Sequence, residues 1–187
     1  MSLILQGSTS GSITLQEPAV AGSTVLTLPA VTGNVLTDTS PKAGNVIQVV
    51  QGTSSTETSI SSTSYTDTSL SASITPTSAT SKILVLASMS GRFYINANVS
   101  RVFYFSILRA STTVFQTSSS DLQAGTGSSG YAIWPVISCL NYLDSPATTS
   151  SITYKIQGKV SSTSNATVIE LNGSPGTSSI TLLEIAA

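Results

Sequence analysis

Ile152-Thr153-Tyr154-Lys155-Ile156-Gln157 is the stretch whose reading decides the fold. Ile152, Tyr154 and Ile156 alternate with Thr153, Lys155 and Gln157. A period of two sends successive side chains to opposite faces of an extended chain, so one face here is apolar and the other polar. That is a half-exposed β-strand. Upstream, Ile83-Leu84-Val85-Leu86-Ala87 is apolar at every position. Such a run reads as a central strand, buried on one side by the core and on the other by a neighbour.

The same reading extends outward in both directions. Further strands are expected at Val46 to Gln51, Ser64 to Thr68, Ser71 to Thr75, Lys82 to Met89, Val102 to Arg109, Thr113 to Thr117, Tyr131 to Tyr142, Ile152 to Val160, Thr167 to Asn172 and Ser179 to Ile185. Ser, Gly or Pro turns separate them, and no stretch shows a 3.6-residue period. About a third of the 187 residues are Ser or Thr, interleaved with Val, Ile, Leu and Tyr. Thr is β-branched and stiff at χ1, which suits strands. The expected fold is all-β: an antiparallel β-sandwich of jelly-roll type with an extended N-terminal β-arm.

Residues 1–40 form that arm, 41–45 a turn-rich linker and 46–187 the sandwich. The arm echoes itself: Pro18-Ala19-Val20-Ala21-Gly22 recurs as Pro29-Ala30-Val31-Thr32-Gly33. Each copy follows a short alternating stretch, Ile13-Thr14-Leu15 and then Leu26-Thr27-Leu28, and Val35-Leu36-Thr37 hints at a third. Strands so few and short cannot bury an apolar face alone. The arm therefore needs a partner. Its candidate contact residues are Ile13, Leu15, Val25, Leu26, Leu28, Val35 and Leu36.

Composition excludes several functions. Charged residues are 8% of the chain and the net charge is −1, with seven Lys and Arg scattered throughout. A nucleic-acid partner is not expected without a basic stripe to neutralise phosphates. No apolar run reaches the 18 or so residues of a membrane span, so no membrane insertion is expected. The first residues, Met1-Ser2-Leu3-Ile4-Leu5-Gln6, lack the basic start of a signal peptide. Low charge leaves little repulsion between copies, which suits a protein that lives in an assembly.

Catalytic signals are missing. The chain has no histidine, which removes the commonest general base and the histidine-containing triads and zinc sites. No phosphate-binding or dinucleotide fingerprint appears. Asp121 and Asp144 lack the acidic neighbours of a calcium loop. A non-enzymatic chain without cofactor or metal is expected. The single cysteine, Cys139, lies in the apolar run Trp134-Pro135-Val136-Ile137-Ser138-Cys139-Leu140 and reads as a small buried hydrophobe. Of the aromatics between Arg92 and Phe105, Phe103 and Phe105 are expected in the core, with Tyr94 and Tyr104 covering its edge. The permissive stretch from Ser118 to Gly130 is a candidate contact loop. Asn172-Gly173-Ser174-Pro175-Gly176 reads as a tight turn.

The arm, from Gly11-Ser12-Ile13-Thr14-Leu15-Gln16-Glu17-Pro18-Ala19 through Leu26-Thr27-Leu28-Pro29-Ala30-Val31-Thr32-Gly33-Asn34-Val35-Leu36, resembles short leader repeats in bacteriophage virion proteins, especially those of cyanophages and other marine phages. The domain is similar to one from the same setting at Gly44 to Gln51, Ser73 to Val85, Ser145 to Lys155 and Ile180 to Ile185. The resemblance implies a virion structural protein of the head decoration (cement) or tail-fibre type. It supplies no catalytic residues. A tail fibre normally carries a long shaft or an anchoring domain, and these 187 residues contain neither. The expectation is thus a decoration protein on the outer surface of the phage head, a homotrimer that clamps neighbouring major capsid subunits. The alternative is a short tail-fibre or receptor-binding tip that meets tail proteins or a host surface receptor.

Overall fold

The computed structural model describes residues 3–6, 8–15, 42–96, 101–118, 123–124, 131–164, 167–172 and 176–187. The chain divides into two compact units, Met1–Val35 and Leu36–Ala187. In the first, β1 (Leu3–Gln6) and β2 (Ser12–Leu15) pair as an antiparallel hairpin, with Leu3 opposite Leu15 and Leu5 opposite Ile13.

In the second unit the strands are β3 (Val46–Ser54), β4 (Thr58–Ile60), β5 (Thr66–Ile74), β6 (Lys82–Asn96), β7 (Arg101–Arg109), β8 (Thr112–Gln116), β9 (Gln123–Ala124), β10 (Tyr131–Asp144), β11 (Ile152–Val160), β12 (Val168–Leu171) and β13 (Ser178–Ile185). The pairing retraces itself. β7 pairs with β8, β6 with β10, β5 with β11 and β3 with β13, all antiparallel. The second half of the domain thus runs back along the first in reverse order. This long double ribbon is rolled up by two further pairings, β13 with β6 and β11 with β7. Two sheets result, ordered β3-β13-β6-β10 and β5-β11-β7-β8. Antiparallel strands wound in this order are a jelly roll, as the sequence leads one to expect. β12 and β4 extend the first sheet along the far half of β6, and β9 adds to β7.

Alternation builds the core. Ile83, Val85, Ala87 and Met89 of β6 and Ile180 and Leu182 of β13 face Leu70, Ile74, Phe103, Phe105, Ile107, Tyr154 and Ile156 of the other sheet, all buried. Fully burying each large side chain contributes roughly 1.5–3 kcal/mol. Phe103 and Phe105 are core residues, while Tyr94 and Tyr104 are half-buried at its margin, as expected.

The structure departs from the sequence reading in several places. The two strands expected at Ser64 to Thr68 and Ser71 to Thr75 are one strand, β5, which passes through Ser69 at φ +63°. Its ladder on β11 jumps from Ser71 opposite Lys155 to Asp67 opposite Gln157, a β-bulge. Thr68 Oγ1 donates to the Ile156 carbonyl at 2.8 Å across it, holding the register. β6 continues past the expected end at Met89, because Gly91 admits the Glu170 carbonyl where a Cβ would collide with it. The short strand β4 gave no signal. Cys139 is exposed rather than buried. In β10 the alternation points Leu140 inward, so its neighbour must point out.

Candidate functional site

The sequence places the candidate contact residues on the arm. Within the hairpin, Ile13 is 66% exposed, as are Ile4 at 55% and Leu5 at 50%. Leu15 ends β2 opposite Leu3. Val25, Leu26, Leu28, Val35 and Leu36 lie outside the described residues, as does most of the Ser118 to Gly130 loop. A two-stranded ribbon with Ile4, Leu5 and Ile13 exposed is marginal in water.

Among the described carboxylates of the sandwich, Asp67, Asp144, Glu170 and Glu184 are engaged in holding it together. Asp144 ends β10 in the first sheet and is buried. Arg109 Nη1 donates to both of its oxygens at 3.0 Å, and the Tyr154 hydroxyl donates to Oδ2 at 2.7 Å. Arg109 closes β7 and Tyr154 lies in β11, so this cluster ties the second sheet to the first. Burial, then the Asp144 hydrogen bond and charge, push the Tyr154 phenol far above its ordinary pKa. A neutral phenol donor, a guanidinium and a carboxylate saturated by both make a cross-sheet staple. The guanidinium also disfavours a cation at Asp144.

Glu184, in β13, is fully buried. Its Oε1 accepts from the Thr77 amide and hydroxyl, each at 2.8 Å, and its Oε2 from Gln48 Nε2 at 2.6 Å. Burial raises its pKa, but the hydrogen bonds from Gln48 and Thr77 outweigh burial and hold it below the ordinary value of 4.5. A carboxyl whose folded pKa is lowered stabilises the fold fully above its unfolded value and loses that contribution as pH falls through the folded value. Acid should therefore weaken the wild type below about pH 4.5 by a component that Glu184→Gln lacks. Urea unfolding from pH 6 to pH 3 measures this, and parallel curves for the two proteins would contradict it.

Several other charges are paired at the surface. Asp67 takes Gln157 at 2.7 Å and Lys155 at 3.2 Å, which lowers its pKa, the Gln157 bond foremost. Arg92 meets Glu170 at 3.0 Å. Lys159 sits over the rings of Tyr65 and Tyr104, 4.6 and 4.9 Å from their centroids. Asn172, at φ +58°, accepts from Ser178 Oγ at 2.6 Å and donates to the Thr56 carbonyl at 3.0 Å, which locks the approach to the last strand. Among the described residues, no three His, Cys, Asp or Glu gather to hold a metal ion. No helix among them is long and apolar enough to cross a membrane. What the geometry offers is surface, carried on a framework whose buried carboxylates, Asp144 and Glu184, are committed to its own strands.

These features define an all-β jelly-roll protein whose N-terminal sequence is repetitive and apolar-patterned. No family model matches the chain, and no curated protein matches it. Among solved structures it is similar to that of infectious bursal disease virus, Gt strain, at 12% identity and a TM-score of 0.31, over 98% of this chain and 46% of that one. The chain thus spans less than half the length of that protein, and a likeness so low carries no argument about role.

Proposed function

We propose that the chain is a non-enzymatic structural protein of a bacteriophage particle, a decoration protein on the outer surface of the head. It acts as a homotrimer that clamps neighbouring major capsid subunits. The observation that carries this reading is the repeated arm sequence, with its short apolar-alternating stretches and its Pro and Gly residues, ahead of a jelly roll that completes its own core. The resemblance of both parts to phage virion proteins supports it. The low charge of the chain suits packing among many copies. A partner that binds only the assembled shell stabilises the shell by linkage.

Two measurements test this. Counting copies per purified particle separates the readings, since hundreds place the protein on the shell and a few to a few dozen place it on the tail. Removing residues 1–40 leaves every core residue in place, so the domain should fold and yet fail to form trimers or to occupy shells. Normal occupancy by the shortened protein would refute the role of the arm.

A further inference from the structure

Part of the outward face of the first sheet carries an apolar patch, bordered by Gln51, Ser88, Asn141 and Thr181. Register aligns its side chains in rows across four strands. Leu143 of β10 lies opposite Leu84 of β6, Leu84 opposite Leu183 of β13, and Leu183 opposite Val49 of β3. On one side of this row Ile185 lies opposite Val46 and Lys82. On the other, Leu86 lies between Asn141 and Thr181, and beyond it Cys139 faces Ser88. Val49 is 59% exposed, Val46 51%, Leu143 49% and Leu86 40%. The exposed large apolar side chains of the domain, among the described residues, all lie on this face. The run Ile83 to Ala87, apolar on both sides, thus has its core on one side and no cover from the described residues of its own domain on the other.

We infer that this face pairs with the same face of a second copy across a two-fold axis. Strands about 4.8 Å apart and rows about 6.8 Å apart give four strands and four rows a footprint of about 500 Å². Side-chain relief raises that towards the 600 Å² or so per partner at which specific interfaces begin. About half of the side chains in this footprint are apolar, the rest being Gln51, Thr53, Lys82, Ser88, Asn141, Ser179 and Thr181, a mixture close to the roughly 56–58% non-polar area of specific interfaces. Charge selects the occupant. Among the described residues of these rows only Lys82, at a corner, is charged, so two copies meet without like-charge repulsion at the centre. A head-to-tail contact would need a second apolar surface on the domain, and its described residues offer none. Sheet faces also pack on one another about 10 Å apart with interdigitating side chains, as the inner face of this sheet already does. The contact is isologous. It does not depend on the virion reading, and it is separate from the three-fold association proposed for the arm.

The test is the mass of the full-length protein by sedimentation equilibrium, for wild type and for Val49→Lys/Leu143→Lys. Both positions are exposed, so the fold tolerates them. The double substitution should halve the mass of the wild-type species and raise the two-fold dissociation constant at least about 100-fold. Mixing it with Val49→Glu/Leu143→Glu should restore the original mass. A wild-type mass that the lysines leave unchanged overturns the inference. Alkylation of Cys139 in the wild type is a second readout that needs no variant, and its rate should fall at least about tenfold through the association range. An unchanged rate also overturns the pairing. Protection of Cys139 in a species whose mass the lysines do not alter assigns the cover to something other than a second copy of this face, and counts against the inference.

Discussion

Asp144→Ala should destabilise the domain by about 3–5 kcal/mol, the cost of removing one partner from a buried ion pair. Arg109 would lose both of its 3.0 Å carboxylate contacts, and the Tyr154 hydroxyl, buried with its residue at 0% exposure, would lose its acceptor. For a chain of this size that corresponds to a fall in Tm of about 10 °C. Tyr154→Phe removes only the hydroxyl and should cost about 1.5–3 kcal/mol, the range for a hydrogen bond to a charged group. The double variant Asp144→Leu/Arg109→Met replaces both charges with apolar volume and should recover most of the loss. Denaturant unfolding of the four proteins measures these differences. A single Asp144 variant within 1 kcal/mol or so of wild type would show that the cluster does not tie the sheets.

The second large effect is expected at Gly52. A Cβ there would lie inside the contact distance of the Ser71 carbonyl oxygen, with the Ala72 Cβ 3.2 Å away. Here β3 of one sheet passes directly over β5 of the other. Overpacking typically costs about 1–3 kcal/mol, and more where backbone must move. Gly52→Ala should therefore cost about 3 kcal/mol, well beyond the few tenths gained by stiffening the unfolded chain. Trimming Ala72 to Gly in the same protein should not rescue it, because the obstacle is a carbonyl and not a side chain. Thermal melts decide the matter, and a variant as stable as wild type would mean that the two strands are not pressed together here.

The sandwich was legible in the sequence because a period of two is a local signal. Ile152 to Gln157 and Ile83 to Ala87 each report their own burial, and both lie in the strands they predict. What failed was set by neighbours distant in sequence. The merger of two expected strands into β5 depends on a bulge opposite Ile156, more than eighty residues away. The expected strand stops at Met89, because the need for a glycine at Gly91 comes from the Glu170 carbonyl of a distant strand. Cys139 shows that an apolar run does not say which of its members points inward.

The candidate site was legible only in part. Ile13 and Leu15 sit in a real hairpin with Ile13 exposed, and the other arm residues lie outside the described ones. Asp144, Arg109 and Tyr154 come from three strands and two sheets, and no spacing rule joins them. The outer face was half visible, since Leu84 and Leu86 demand cover on their own side. Its other members, Val49, Leu143 and Leu183, join them only through register.

The central claim is that this chain is a unit of assembly whose exposed apolar surfaces are satisfied by further copies. Sedimentation equilibrium of the full-length protein, from about 1 to about 50 µM at physiological salt, tests it most directly. The account predicts a species of at least three times the 19.1 kDa of one chain. A well-folded protein that stays at the mass of one chain throughout that range would contradict it.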